Sequence, residues 1–150
     1  MSLSDTWGDT EYGYPLLKEI QIEGEFILRI YSTQKYLLDR AGYIKHIWML
    51  EKNNPVGYMK IFDNSNRTYP NKTVICNVEI SPQHRGMKLS RKMYETVAKE
   101  YGPLWRTGMM TLAVEKVTRG LNINIIDSSQ KSLKDGHYSF VNWGDNVNIK

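Results

Sequence analysis

The chain has 150 residues, of which 41% are apolar, 24% charged and 11% aromatic, with a formal net charge of +4. This composition is typical of one folded globular domain and excludes a disordered chain, which would contain fewer apolar and aromatic residues. No apolar run reaches the roughly 18 residues of a membrane helix, and residues 1–10 lack the basic start and apolar stretch of a signal peptide. We therefore expect a cytoplasmic protein without a membrane partner.

Cysteine and histidine usage argues against two kinds of stabilising site. Cys76 is the only cysteine, so no internal disulfide can form, and its position relative to the three histidines matches no zinc-site spacing. We expect no metal. The 20 basic residues are interspersed with 16 acidic ones, so the net charge alone does not specify a polyanionic partner such as nucleic acid.

The first half of the chain contains mainly strand patterns. No linker or repeat divides residues 1–150, so we predict a single domain, with the polar residues 1–15 as an N-terminal arm. Apolar side chains alternate over residues 25–31, which predicts the first long strand, and residues 33–40 suit a short helix. Residues 44–51 and 56–62 then predict a hairpin.

A turn of four residues, 52–55, is predicted between the hairpin strands because Asn and Pro favour turns. Residues 73–80 predict another strand, which Pro82 ends. Four of its side chains are assigned to one buried face: Val74, Cys76, Val78 and Ile80.

Helical spacing replaces strand alternation after Gly86. Apolar residues recur over about three turns from Leu89 to Tyr101, and Gly102 followed by Pro103 predicts the helix end. The remaining predicted elements are a strand at 104–106, a helix at 111–121, a strand at 123–127 and a last strand within 138–143. This order predicts an α/β (α+β) fold, with a mixed, mostly antiparallel central sheet flanked by helices.

The turn between strand 73–80 and the following helix has the features of an anion site. A helix N-terminus presents unpaired N–H groups and a partial positive charge, and Gly86 would let a phosphate approach the backbone closely. Four basic residues lie around this helix start, where cations are normally disfavoured: Arg85, Lys88, Arg91 and Lys92. A solvated basic face explains the charges equally well, so both interpretations stay open.

Residues Gln83-x-x-Gly86, after a Val-x-Ile-x-Pro strand end, resemble the acetyl-CoA loop of the GNAT acetyltransferases. That family's loop has Gln or Arg, two residues, Gly, one residue, and Gly or Ala, and its N–H groups bind the pyrophosphate. The resemblance covers about residues 76–102, and small bacteriophage or bacterial members are nearest in style. Lys88 departs from the pattern, because the family usually has a second small residue there.

The resemblance implies an acetyl-CoA-dependent N-acetyltransferase that moves an acetyl group directly to an amine of a small molecule or protein. A homodimer, which family members often form, is also among the implied partners. The residues implied to bind the cofactor are Val78, Ile80, Gln83, Arg85, Gly86, Met87, Lys88, Leu89 and Ser90.

Glu79 is the first candidate for the general base, because the resemblance places it at the strand end beside the thioester. An exposed strand carboxylate without catalytic role is the alternative interpretation. His84 is a weaker candidate, and Cys76, assigned to the apolar side, is not expected to carry an acyl group. Many members of the family that the chain resembles use a tyrosine on the helix after the fifth strand to protonate the departing thiolate. The predicted helix at 111–121 contains no tyrosine, so the general acid stays unassigned.

Two other functions are compatible with these residues. One is a catalytically inactive binding or structural protein with the GNAT fold, which Lys88 and the missing tyrosine would suit. The other is a phage-type, nucleic-acid-modifying relative, although no base-reading motif is visible.

Overall fold

A computed structural model describes residues 16–32, 44–65, 70–86, 88–106, 110–111, 118, 120–121, 123–125 and 132–133. The strands are β1 Leu16–Gln21, β2 Phe26–Ser32, β3 Ile44–Glu51, β4 Asn54–Phe62, β5 Thr73–Ile80, β6 Leu104–Arg106, β7 Met110–Thr111, β8 Ile123–Ile125 and β9 Ser132–Leu133. Helix α1 spans Leu89–Tyr101. Seven strands form one sheet in the order β1-β2-β3-β4-β5-β6-β8, and β7 pairs with β9.

The sheet is mixed and mostly antiparallel, as predicted. Strands β1 to β5 pair antiparallel with their neighbours, whereas β5 pairs parallel with β6, and β6 with β8. Helix α1 packs one side against the sheet, where Met93, Tyr94 and Val97 join the apolar core. The helix ends where the sequence predicted, since Gly102 has φ 84° and its N–H donates to the Ala98 carbonyl at 2.8 Å.

The sequence did not predict strand β1. Leu16 and Leu17 are 48% and 50% exposed, and most of the strand faces solvent at the sheet edge. A strand with neither face buried has no alternating pattern, so its hydrophobicity gives no period of two. The predicted arm at residues 1–15 lies outside the described residues.

The β3–β4 turn is shorter than predicted. Only Lys52 and Asn53 form it, with φ of 49° and 69°, the positive values that match a tight turn to the twist of a hairpin. Asn54 and Pro55 belong to β4. Proline is tolerated there because Leu50 pairs with Pro55 and Met49 with Gly57, leaving Val56 as the extra residue of a bulge.

Strand β5 also contains a bulge. Because of it, the prediction that four side chains of residues 73–80 share one buried face is wrong. Lys60 pairs with Asn77 and Ile61 with Ile75, so Cys76 is an extra residue without a partner in β4. The bulge shifts the alternation by one position. Ile75, Val78 and Ile80 therefore contact the core, whereas Cys76 is exposed and does not lie on their apolar side.

The later predictions have mixed outcomes. Strand β6 has the predicted bounds, and β8 lies within the predicted 123–127. Thr111 lies in β7, and residues 118, 120 and 121 form turns and bends, so the predicted helix is wrong at these positions. Its residues 112–117 and 119 lie outside the described residues, as do the helix at 33–40 and the strand within 138–143. Among the described residues, no helix is both long and apolar enough to cross a membrane.

A buried ion pair lies at the sheet end formed by the start of β3 and the end of β4. Lys45 Nζ lies 2.7 Å from Asp63 Oδ2, and the two side chains are 7% and 9% exposed. Lys45 also donates to the Ser32 hydroxyl at 3.3 Å. Asp63 Oδ1 accepts from the N–H of Ser65 at 2.9 Å and from its hydroxyl at 2.6 Å. Each charge therefore has hydrogen-bond partners besides the other charge.

His46 is buried on the sheet face that points away from α1. Its Nδ1 lies 2.9 Å from the Tyr58 hydroxyl, and only 3% of the residue is exposed. Burial, and then the nearby Lys60 charge, lower the pKa of His46 from 6.5 to about 4. The imidazole is therefore neutral in the folded protein near pH 7.

Acidification is expected to destabilise the fold through His46. The unfolded chain binds a proton at His46 near the ordinary pKa of 6.5, whereas the folded chain does so only near 4. Stability from this group is therefore complete above pH 6.5 and falls by about 3 kcal/mol as the pH drops to 4. Denaturant unfolding of the wild type and His46→Gln across this range measures the difference, and parallel stability curves would contradict it.

Candidate functional site

The second half of β5, residues 76–80, has no described strand beside it on the side of β6, and the space there is called the cleft. Within the described residues, Thr73–Ile75 pair with Leu104–Arg106, and β5 then continues alone on this side to Ile80. The bulge at Cys76 directly follows the last described pair of β5 with β6, and bulges bend and twist the strand that carries them. An extended ligand could therefore lie beside the second half of β5.

Backbone groups of β5 point into this cleft. The Ser81 N–H donates to the Val56 carbonyl of β4 at 2.9 Å. Because the hydrogen-bonding groups of successive strand residues point to opposite sides, the N–H groups of Val78 and Ile80 point away from β4, toward the cleft. The Ile80 carbonyl faces the same side and accepts a hydrogen bond from Arg85 Nε at 3.1 Å. The backbone group of Ile80 that could bind a ligand in the cleft is therefore its N–H.

The turn after β5 is open to ligands. Pro82–His84 form a short 3₁₀ helix, and Gly86 follows with φ 86°. A Cβ atom built on Gly86 would meet no atom of the described residues within 4 Å, its two chain neighbours aside. Gln83, Arg85 and Lys88 have exposed positions, whereas Met87 lies outside the described residues.

Helix α1 begins directly after this turn with its first N–H groups uncapped. Lys88 is the N-cap residue in the left-handed conformation, with φ 61°, and no side chain of the described residues caps the helix. The first turn contains no acidic residue, so nothing within it competes for an anion. Leu89 is 3% exposed with its side chain in the core, so only its backbone can bind a ligand, whereas Ser90 is half-buried.

The predicted basic cluster is partly neutralised. Lys92 pairs with Glu23, and Arg91 Nε lies 3.3 Å from Glu95 Oε1. These ion pairs weaken the support that the basic side chains give to an anion site. The stronger support is the exposed backbone of the turn.

Glu79 is buried. It is 8% exposed, its Oε2 accepts from Asn77 Nδ2 at 3.3 Å, and it pairs with Tyr58 in β4. It lies on the face opposite to Val78 and Ile80, as predicted, but it is not the exposed carboxylate of the alternative interpretation. A buried carboxylate beside the cleft could accept a proton from a ligand.

Sequence reasoning missed one hydrogen-bonded chain of side chains at the turn. His84 Nδ1 lies 2.6 Å from the Ser81 hydroxyl, and His84 Nε2 lies 3.1 Å from Glu51 Oε1. The spacing of Ser81 and His84, three residues apart around a proline, could have indicated the local contact. Glu51 lies 33 residues away in the sequence, and no local pattern connects it to His84.

Three features lie together: the second half of β5 with its cleft-facing N–H groups, an exposed glycine turn, and a helix start without a described side-chain cap. No curated protein matches the chain. A family model described as the acetyltransferase (GNAT) family matches residues 8–119, more than half of the 150 residues. The chain therefore belongs to the GNAT acetyltransferase family.

Proposed function

We propose that this single-domain protein is an acetyl-CoA-dependent N-acetyltransferase that moves an acetyl group to an amine by direct transfer. The observation that carries the proposal is that β5 has no described neighbour beyond Ile75 on the side of β6, the side to which the N–H groups of Val78 and Ile80 point. Bound acetyl-CoA would supply the activated thioester. A pantetheine arm is extended and carries amide groups, so it fits a strand edge with backbone donors and acceptors.

The turn and the helix start fit the anionic end of this cofactor. The exposed backbone of Gly86 and the first N–H groups of α1 would bind the pyrophosphate. Gln83, Arg85, Lys88 and Ser90 lie around the same turn and would add polar contacts. The space beside Gly86 leaves room for a phosphate. Met87 stays a prediction from the resemblance.

Two groups of the chain would perform the chemistry. An alkyl amine has a pKa near 10.4 and is mostly protonated at pH 7, so a base must remove a proton before attack. Glu79, buried next to Asn77, would be that base, directly or through a water molecule. The Ile80 N–H would stabilise the negative charge that develops on the carbonyl oxygen.

Glu79→Gln is expected to lower kcat by about a hundredfold and to leave the Kd for acetyl-CoA unchanged. The amide keeps the shape of the side chain and its contact with Asn77 but cannot accept the proton. Steady-state kinetics across pH 6 to 9 and calorimetric titration measure the two effects. The matched control is Glu95→Gln, an exposed carboxylate on α1. Equal rates for Glu79→Gln and the wild type at every pH would remove Glu79 from the mechanism.

Calorimetric titration with acetyl-CoA tests the proposed function, with coenzyme A and adenosine 3′,5′-bisphosphate as comparison ligands. Micromolar binding of acetyl-CoA, followed by acetyl transfer in a screen of amines, is the expected result. Absence of binding to all three would contradict it and favour the inactive GNAT-fold protein. Lys88 is the observation behind that second candidate, because a side chain occupies a left-handed position where the family usually has a small residue.

A further inference from the structure

The described residues of the turn 82–88, which exclude Met87, have little packing of their own. Pro82, Gln83, Arg85, Gly86 and Lys88 are all exposed. Gly86 and Lys88 both have left-handed φ values, and for a residue with a side chain this conformation is about 1–2 kcal/mol less favourable than the right-handed one. A turn of this kind needs contacts elsewhere to hold one conformation.

The start of the turn is hydrogen-bonded to the β3–β4 hairpin. Glu51, the last residue of β3, accepts from His84 Nε2 at 3.1 Å. The other ring nitrogen of His84 lies 2.6 Å from the Ser81 hydroxyl, and the His84 N–H donates to the Ser81 carbonyl at 2.9 Å. Ser81 in turn donates its N–H to Val56 of β4. Both strands of the hairpin therefore hold the start of the turn.

The proton positions follow from the partners. An ionised carboxylate can only accept, so the Nε2 facing Glu51 carries a proton. In a neutral ring, Nδ1 is then the acceptor, and the Ser81 hydroxyl donates to it. Ser81 is 6% exposed, and the side chains of His84 and Glu51 are 19% and 33% exposed, so water competes only in part for these contacts.

We propose that Glu51, His84 and Ser81 are positioning residues that hold turn 82–88 in the conformation that binds the phosphates of acetyl-CoA. The inference rests on the proposed function of the same turn. The buried side chain of Leu89 fixes the other end of the turn at α1. Holding both ends aims the backbone N–H groups before the ligand arrives, which reduces the entropy lost on binding.

The direction in which Glu51→Ala changes the affinity for acetyl-CoA distinguishes a positioning role from simple charge repulsion. If Glu51 were only a negative charge near an anion site, Glu51→Ala would tighten acetyl-CoA binding. If Glu51 fixes His84, the same change weakens binding by about tenfold, the effect of losing a hydrogen bond to a charged group. Ser81→Ala changes no charge and is expected to weaken binding by about fivefold.

Calorimetry with acetyl-CoA on the wild type, both variants and Glu25→Ala tests the proposal. Glu25→Ala removes the same charge from an exposed pair with Lys52 at the tip of the β3–β4 hairpin and is expected to bind like the wild type. Kinetics should show a higher KM for acetyl-CoA with kcat retained. The nitrogen-15 shifts of the His84 ring should indicate a protonated Nε2 in the wild type and a different tautomer balance in Glu51→Ala.

The outcomes are distinguishable. Unchanged or tighter binding in Glu51→Ala together with unchanged binding in Ser81→Ala overturns the positioning role and leaves the proposed function intact. A folded wild type that binds no acetyl-CoA overturns the proposed function as well as the positioning role. Weaker binding in both variants, with Glu25→Ala like the wild type, supports the proposal.

Discussion

Gly86→Glu is expected to abolish acetyl-CoA binding while the protein stays folded. The new side chain has space, since apart from the two chain neighbours no atom in the described part of the chain lies within 4 Å of a Cβ at this position. It would carry a negative charge at the turn proposed to bind phosphates. Like charges about 4 Å apart near a protein surface repel by about 4 kcal/mol, which predicts a loss of affinity beyond about a hundredfold.

Gly24→Glu is the matched control. Gly24 also has a positive φ, 62°, and also has open space around its Cβ position. Both substitutions therefore add the same charge and a similar backbone strain of about 1–2 kcal/mol, but only one lies at the turn. Calorimetry and denaturant unfolding of both variants separate binding from stability. Wild-type affinity in a folded Gly86→Glu protein would refute the assignment of the cofactor site.

Asp63→Ala is expected to be the most destabilising single change considered for this protein. It would leave the ammonium of Lys45 buried without the carboxylate that lies 2.7 Å away. Removal of one partner of a buried pair typically lowers the free energy of unfolding by about 3–5 kcal/mol. The Ser65 N–H and hydroxyl would also lose their acceptor. Denaturant unfolding of the purified variant measures the loss.

Two comparison variants make this test specific. Glu19→Gln breaks the Arg29–Glu19 pair, in which the glutamate side chain is 48% exposed, and is expected to change stability by less than about 1 kcal/mol. Lys45→Met combined with Asp63→Leu removes both charges and should recover much of the stability lost in Asp63→Ala. Equal effects of Asp63→Ala and Glu19→Gln would contradict the importance of the buried pair.

Local signals predicted the bounds of several elements. Helix α1 has the predicted bounds because its apolar residues recur with the helical period. Strands β3 and β5 have them because each is a β-rich run that turn-forming residues end, Asn53 after β3 and Pro82 after β5. Strand β1 was missed because it buries almost nothing. The bulges at Val56 and Cys76 were missed because an extra residue depends on pairing with a distant strand, which no local period records.

The same distinction applies to the site. The glycine turn and the helix start are contiguous in sequence, so the motif around Gly86 predicted an anion site. The contacts of Glu79 and Glu51 depend on how strands pair, so the burial of one and the bond of the other to His84 could not be predicted. Of the two ion pairs in the basic cluster, Lys92–Glu23 could not be predicted because Glu23 is distant in sequence, whereas Arg91–Glu95 has the i,i+4 spacing that a helix brings together.

The bulge in β5 means that the bend of this strand depends on the number of its residues as much as on their identity. Cys76 is the extra residue, and it is exposed and lies outside the apolar core. Exchange of Cys76 for another small residue would keep the count and therefore the bend. Loss of its codon would keep every other residue of β5 on its present face but would make the strand regular. A short in-frame deletion could thus alter the strand edge proposed to hold the cofactor in a lineage that keeps the fold, a change that no substitution of a proposed catalytic residue would reveal.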